Sequence, residues 1–245
     1  MCSDEGHHMY LATCLDSHFA LVGAVIEPRA SQIKRANKSL SDEWQYLYRQ
    51  ARRKFTKAYA HRYRYFGATE QTDLGNACPT LVVDWINEPQ VVEFLSKTAH
   101  DAAIVMGTSI IRPNVLKASG PVTLNIHGGY LPYYRGNNCI FFALYNNERD
   151  KVGATIHFVN EGIDLGDIVE VVVPDLPNED DDEALYSCAI RLAIDRLIEI
   201  LEAWQEGSEL PRFPQQMRGR LYLLKDRKPW HDFAMWVRRQ LKVMR

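Results

Sequence analysis

Cysteine is scarce and unpaired: the five in 245 residues (Cys2, Cys14, Cys78, Cys139 and Cys188) are scattered, odd in number and never spaced C-x-x-C. That pattern argues against a disulfide framework and a thiolate zinc site, leaves no metal site expected, and favours a reducing compartment, the cytoplasm. No apolar run approaches the roughly 20 residues a membrane-spanning helix needs, and the polar first residues lack the basic region of a signal peptide. An excess of one charge is also missing. With 29 Lys and Arg against 31 Asp and Glu, the molecule as a whole is not built for nucleic acid. There are no internal repeats and no low-complexity tracts. What is present, 46% hydrophobic and 24% charged residues, is the composition of a globular protein with a well-buried core.

Strand-like and helix-like segments alternate. Residues 10–18 read as helix and Ala20 to Ile26 as a buried strand. A domain of this kind normally opens with a strand before its first helix. Either the chain begins downstream of a missing first strand, or its N-terminus is short and irregular. Further on, Leu81 to Val83, Ala102 to Met106, Val122 to Ile126, Val152 to Val159 and Ile168 to Val173 read as strands. Val91 to Ala99 and a long segment from about residue 182, with Leu185, Ala189, Leu197 and Leu201 on its inner side, read as helices. Asp180 to Asp182 suit the start of that long helix and Gly207 its stop. The expected fold is α/β, a Rossmann-like open and mostly parallel sheet. Residues 1–207 are expected to form the catalytic domain, with a basic helical insertion at 27–66, and residues 208–245 a short extension with one helix carrying Phe233, Trp236, Val237 and Leu241 on one face.

The insertion concentrates arginine and lysine, from Arg29 through Lys38, Arg49, Arg52, Arg53, Lys57 and Arg62 to Arg64. Trp44, Leu47, Tyr48, Ala51, Phe55, Ala58 and Tyr59 recur in it at helical spacing. Ser41 is the expected N-cap, with Asp42 and Glu43 on the positive end of the dipole. The expectation is a docked amphipathic helix with a solvated basic face, since charge runs usually serve that purpose. A clamp for a pyrophosphate, an anionic glycan or a membrane surface is the competing reading.

In open α/β sheets ligands bind beyond the carboxyl ends of the strands. Asn125 and His127 sit where the strand Val122 to Ile126 ends, and Gly128 and Gly129 then allow close backbone approach. A second loop, Glu161-Gly162-Ile163-Asp164-Leu165-Gly166, holds one carboxylate between glycines.

The run N-I-H-G-G-Y-L-P-Y-Y-R-G from Asn125, with V-G-A-T-I-H-F-V-N-E-G-I-D-L-G-D from Val152, resembles the signature of the folate-dependent formyltransferases, closest in kind to the amino-sugar N-formyltransferases. That signature is N-x-H, a leucine-proline turn, then H-F-V and a D-x-G loop, and here 39 positions separate Asn125 from Asp164. The resemblance implies that Asn125, His127 and Asp164 are catalytic. It also implies that Gly107, Thr108, Ser109, Ile110 and Ile111, with Glu161, Gly162 and Ile163, line the pterin pocket of a 10-formyltetrahydrofolate co-substrate. Asn125 would donate to the oxyanion of a tetrahedral intermediate. His127 would donate or shuttle a proton, and pairing with Asp164 should raise its pKa. His157, on the H-F-V position, reads equally as a core histidine.

The implied function is formyl transfer to the primary amine of a small metabolite, an amino sugar, nucleotide-linked. A formyltetrahydrofolate hydrolase, or a non-catalytic folate- or nucleotide-binding relative, is the alternative. The expected partner is that small-molecule amine, with no nucleic acid and no transmembrane segment, and a homodimer is left open. Two departures touch the acceptor side. Gly128 and Gly129 stand where relatives commonly have proline and serine. Ser3-Asp4-Glu5-Gly6-His7-His8 is not the glycine-rich phosphate loop of members that formylate a phosphorylated glycinamide. Methionyl-tRNA formyltransferases carry a further C-terminal domain, so tRNA is disfavoured as acceptor. His7 and His8 are expected to be a mobile terminal pair.

Overall fold

The computed structural model describes residues 1–36, 39–56, 58–67, 74 and 77–243. Its central strands are short and apolar: β1 (Ala24–Ile26), β2 (Thr80–Val82), β3 (Ala103–Val105), β4 (Thr123–His127), β6 (Ala154–Phe158) and β7 (Ile168–Val172). β1 pairs with β2 in parallel, and β3 pairs with β4 in parallel. β6 then joins β4 antiparallel, with Asn125 opposite His157, and β7 joins β6 antiparallel. The sheet is thus parallel on the side where helices return the chain and antiparallel where β6 and β7 follow each other through a loop.

Residues 1–3 occupy the place between the two halves. Cys2 bridges in parallel to Ile26 on one side and to Met106 on the other, and the terminal ammonium donates to the Ile104 carbonyl at 2.7 Å. These residues lie where the first strand of such a sheet is expected, joined to it by the isolated bridges of Cys2. The first helix, α1 (Gly6–His18), starts directly after them, four residues earlier than its apolar pattern indicated.

On one face lies α8 (Asp182–Gln205), whose Ala189, Ile190, Ala193, Ile194 and Leu197 are fully buried with Leu124 and Ile156 of the sheet. Asp181 caps it by accepting from the Glu183 and Ala184 amides at 2.9 and 3.2 Å, and Gly207 ends it at φ 101°. On the other side α5 (Pro89–Lys97) and α6 (Pro113–Ala118) pack Val91, Leu95 and Val115 against Val25 and Val105.

The basic segment forms three helices rather than one: α2 (Arg29–Ala36), α3 (Leu40–Phe55) and α4 (Ala58–Phe66). Ser39, not Ser41, is the N-cap of α3, accepting from the Asp42 amide. Lys38 and Lys57 lie outside the described residues. The orientation of α3 is the reverse of the expected one. Its apolar stripe faces solvent, with Trp44 74% and Phe55 87% exposed, whereas Arg52 is only 9% exposed. Acids explain the inversion. Arg52 lies 3.9 Å from both Asp182 and Glu183, and Arg53 pairs with Glu5 at 3.2 Å. Buried carboxylates without cations would cost more than exposing a few aromatic rings.

The C-terminal segment crosses back over the molecule. After β5 (Tyr134–Gly136) and α7 (Cys139–Tyr145), the later strand β8 (Arg220–Tyr222) pairs with β5 in parallel, and α9 (Pro229–Val243) follows. The face carrying Phe233, Trp236 and Leu241 points outward, and Met235 is the buried contact. Among the described residues no helix is long and apolar enough to cross a membrane.

Candidate active site

A cavity of about 380 Å³ opens beyond the carboxyl ends of β3 and β4. Asn125, His127 and Asp164 all line it. Strand alternation places Asn125 and His127 on one side of β4, and the antiparallel register of β6 sets His157 beside Asn125. The Asn125 Nδ2 donates to His157 Nε2 at 3.0 Å, and His157 Nδ1 donates to the Phe158 carbonyl at 2.8 Å. One amide N–H of Asn125 is thereby committed and the other is left for a ligand. His157 is buried and lines the cavity: besides Asn125 it approaches Asp164 Oδ1 at 3.6 Å.

Asp164 sits at φ 51° in the left-handed region, which aspartate tolerates through local hydrogen bonding. Its Oδ2 accepts from the Gly136 amide at 2.7 Å and lies 3.4 Å from His127 Nδ1. The loop is braced from outside by Arg135, which donates to the Ile163 carbonyl at 3.1 Å, and by Gln215, which donates to the Asp164 and Gly166 carbonyls at 3.0 and 2.7 Å. Burial raises the Asp164 carboxyl, but His127, His157 and the Gly136 amide outweigh it and hold the group well below the usual carboxylate range.

His127 donates from Nε2 to the Tyr134 carbonyl at 3.0 Å, which leaves Nδ1 facing Asp164. Its pKa moves opposite to the expectation. Burial lowers it below the ordinary value, and the pull of Asp164 does not make up the loss. Burial thus favours the neutral ring, the form that can act as a base.

All five residues of the loop Gly107 to Ile111 line the cavity, as do Gly162 and Ile163, whereas Glu161 lines a neighbouring hollow with Gln215 and Met217. A residue outside the signature holds this loop. Glu27, wholly buried, accepts from the Ser109 amide at 2.6 Å and the Ile86 amide at 3.2 Å and pairs with Arg35. A lone carboxylate directly after an apolar strand was the available signal, and nothing local distinguished it from a surface acid.

Arg29, Arg49, Arg52, Arg53 and Arg62 also line the cavity, together with Glu5, His7, His8, Glu183, Tyr186 and Arg227. The reading of the basic segment as a solvated face is thus corrected. So is that of His7 and His8, which are buried with their rings 3.9 Å apart. Burial would raise the Glu5 carboxyl, but the Arg62 and Arg53 guanidiniums bring it down to about 2. Burial carries His8 down to about 4. Ligand atoms of Glu5, His7 and His8 lie within 4.8 Å of one another. A cation there would meet Arg53 and Arg62 at 3.2 and 3.3 Å from the only carboxylate of the group, so the donor set does not suit a metal.

A family profile described as formyl transferase matches residues 42–200. The chain belongs to the formyl transferase family. It is 32% identical over 142 residues to the methionyl-tRNA formyltransferase of Syntrophus aciditrophicus, covering 56% of this chain and 44% of that protein. To the methionyl-tRNA formyltransferase of Carboxydothermus hydrogenoformans it is 33% identical over 163 residues, 64% of this chain and 52% of that one. The chain thus spans about half the length of these curated relatives. Two solved structures share the fold. Phosphoribosylglycinamide formyltransferase from Anaplasma phagocytophilum aligns with TM-score 0.57 at 15% identity, covering 91% of this chain and 95% of that one. The sugar 3N-formyl transferase WlaRD, crystallised with dTDP and 5-N-formyl-THF, aligns with TM-score 0.57 at 17% identity, covering 93% and 70%.

Within the formyl transferase fold the two glycines after His127 acquire a reason. A Cβ on Gly128 would overlap the ring edge of Tyr186, and one on Gly129 would lie 2.5 Å from His127 Nε2 and 2.6 Å from the Cys139 Cβ. The helix α8 and the start of α7 press so closely on this turn that only backbone fits.

Proposed function

We propose that the chain transfers a formyl group from 10-formyltetrahydrofolate to the primary amine of a small metabolite, an amino sugar carried on a nucleotide, in the cytoplasm. The observation that carries this reading is the meeting of Asn125, His127 and Asp164 in one cavity with the Gly107 to Ile111 loop along its wall. The free cysteines agree with a reducing compartment. That the loop side receives the pterin, as implied by the family signature, is part of the proposal. The walling of the other side by α3, α4 and Arg227 favours a small acceptor over a macromolecular one.

In the reaction the amine nitrogen forms a bond to the formyl carbon and the carbonyl oxygen becomes an oxyanion. The remaining Asn125 N–H stabilises that charge, a contribution of about 3 kcal/mol for one well-placed donor. The attacking nitrogen loses a proton to the neutral His127. Placed on Nδ1, the proton lies between the ring and the Asp164 carboxylate, which stabilises the imidazolium as it forms. Collapse then breaks the bond to the folate nitrogen, which takes a proton in turn and leaves as tetrahydrofolate.

Purified protein incubated with 10-formyltetrahydrofolate, with and without a panel of amines that includes nucleotide-linked amino sugars, tests this. Tetrahydrofolate release that requires an amine and vanishes in His127→Ala is the expected result. Release without any amine would identify a hydrolase instead, and formylation of methionyl-tRNA alone would overturn the small-acceptor reading.

A further inference from the structure

The cavity carries more positive charge than formyl transfer uses. Six guanidiniums line it, those of Arg29, Arg49, Arg52, Arg53, Arg62 and Arg227, against the four carboxylates of Glu5, Asp164, Asp182 and Glu183. Arg227 also pairs with Asp232 behind the lining, which leaves one positive charge uncompensated, and burial disfavours the charged form of His7, His8 and His127.

Several donors in the same wall also lack acceptors. His7 Nδ1, Arg29 Nε, Arg52 Nε and Nη1 and Arg62 Nε have no hydrogen-bond partner among the described residues. His7 is 2% exposed and Arg52 9%. Buried donors are normally satisfied, and each orphan costs about 1–3 kcal/mol. Arg49 makes no hydrogen bond or ion pair to a carboxylate among the described residues, and faces Arg29, Arg53 and Arg52. Glu5, Asp182 and Glu183 account for drawing Arg52, Arg53 and Arg62 inward, but among the described residues no carboxylate pairs with Arg49 and no acceptor takes up the orphaned N–H groups.

We propose that this wall is an acceptor-anchoring site, in which the arginines of α2 to α4 grip a phosphate or pyrophosphate group of the amine substrate. The proposal rests on the formyl-transfer reading above. The several oxygens of a phosphate or pyrophosphate match the net positive wall and its several orphaned donors in a way one carboxylate does not. The helical segment 27–66 is then the device by which this chain, lacking a glycine-rich phosphate loop after its first residues, holds an anionic acceptor next to His127.

Isothermal titration of the full chain with inorganic pyrophosphate, inorganic phosphate and malonate, at constant ionic strength, tests the site without any turnover. Pyrophosphate should bind. Arg49→Gln and Arg29→Gln should each weaken it about tenfold or more, with part of the loss restored in Arg49→Lys. Circular dichroism verifies that each variant is folded, and Arg49, which holds no ion pair, is the safest of them. Absence of pyrophosphate binding, or equal binding by folded Arg49→Gln, overturns the proposal. Malonate binding as tightly as pyrophosphate overturns the phosphate class. Folate binding by wild-type protein, followed separately with 5-formyltetrahydrofolate, keeps the two readings apart. Folate binding without pyrophosphate binding refutes the anion site alone, and the reverse pattern refutes formyl transfer from folate.

Discussion

Replacing Asp164 by asparagine removes one charge and almost nothing else. Asparagine is among the few residues at ease at φ 51°, and its side-chain oxygen can still accept from the Gly136 amide. What is lost is the attraction between the carboxylate and a proton on His127 Nδ1, 3.4 Å away. At an effective dielectric of about 20 that attraction is about 5 kcal/mol. If only half of it is realised in the transition state, kcat falls roughly 70-fold, and by more if the fraction is larger. His127, already below its ordinary pKa through burial, should drop further, because the one strong upward influence is gone. The acid limb of kcat/KM therefore moves to lower pH in the variant while its plateau falls. Stopped-flow or absorbance measurement of tetrahydrofolate release over pH 4.5–8, with thermal melts to verify folding, reads all of this. A folded Asp164→Asn enzyme with kcat within twofold of wild type would refute the assignment of Asp164 as the stabiliser of the imidazolium.

Other substitutions probe the frame around the site. Gly128→Ala should destabilise the protein by about 1–3 kcal/mol through overlap with Tyr186, and the loss should shrink when Tyr186→Ala is added; additive losses in urea melts would count against the contact. Glu27→Ala leaves the Ser109 and Ile86 amides without their acceptor and Arg35 without its carboxylate, which should cost about 3 kcal/mol and raise KM for folate more than it lowers kcat. His8, whose folded pKa of about 4 lies below its unfolded value, binds a proton in the unfolded chain first. Stability should therefore be unaffected by it above about pH 6.5 and fall between about pH 6.5 and 4, by up to about 3 kcal/mol. Acid titration of the melting temperature should show a shallower fall in His8→Asn, and parallel curves would refute the linkage.

How far the sequence reaches differs from element to element. The alternation of apolar strands and helices, the N-cap aspartate and terminal glycine of α8, and the N-x-H and D-x-G segments are local patterns, so the α/β class and the catalytic candidates were legible. That Asn125 and Asp164 line one cavity was implied by the resemblance to the family signature. Boundaries slipped where capping decided them, as at Ser39. Glu27 was invisible because its partners lie about 60 and 80 positions away, and only the assembled sheet brings the Ile86 and Ser109 amides to its carboxylate.

Amino-acid pattern alone determined that helices form over the basic segment and that they are amphipathic. It did not determine which face turns inward. Periodicity measures segregation of apolar from charged residues and says nothing of what waits on the other side of the interface. Here Glu5, Asp182 and Glu183 wait there, so the arginine face is drawn in and the tryptophan face is left in water. The pKa of His127 was settled the same way. The sequence supplied the carboxylate that raises it, and only the tertiary structure supplied the burial that lowers it more, since desolvation depends on everything packed around a group and not on any one neighbour.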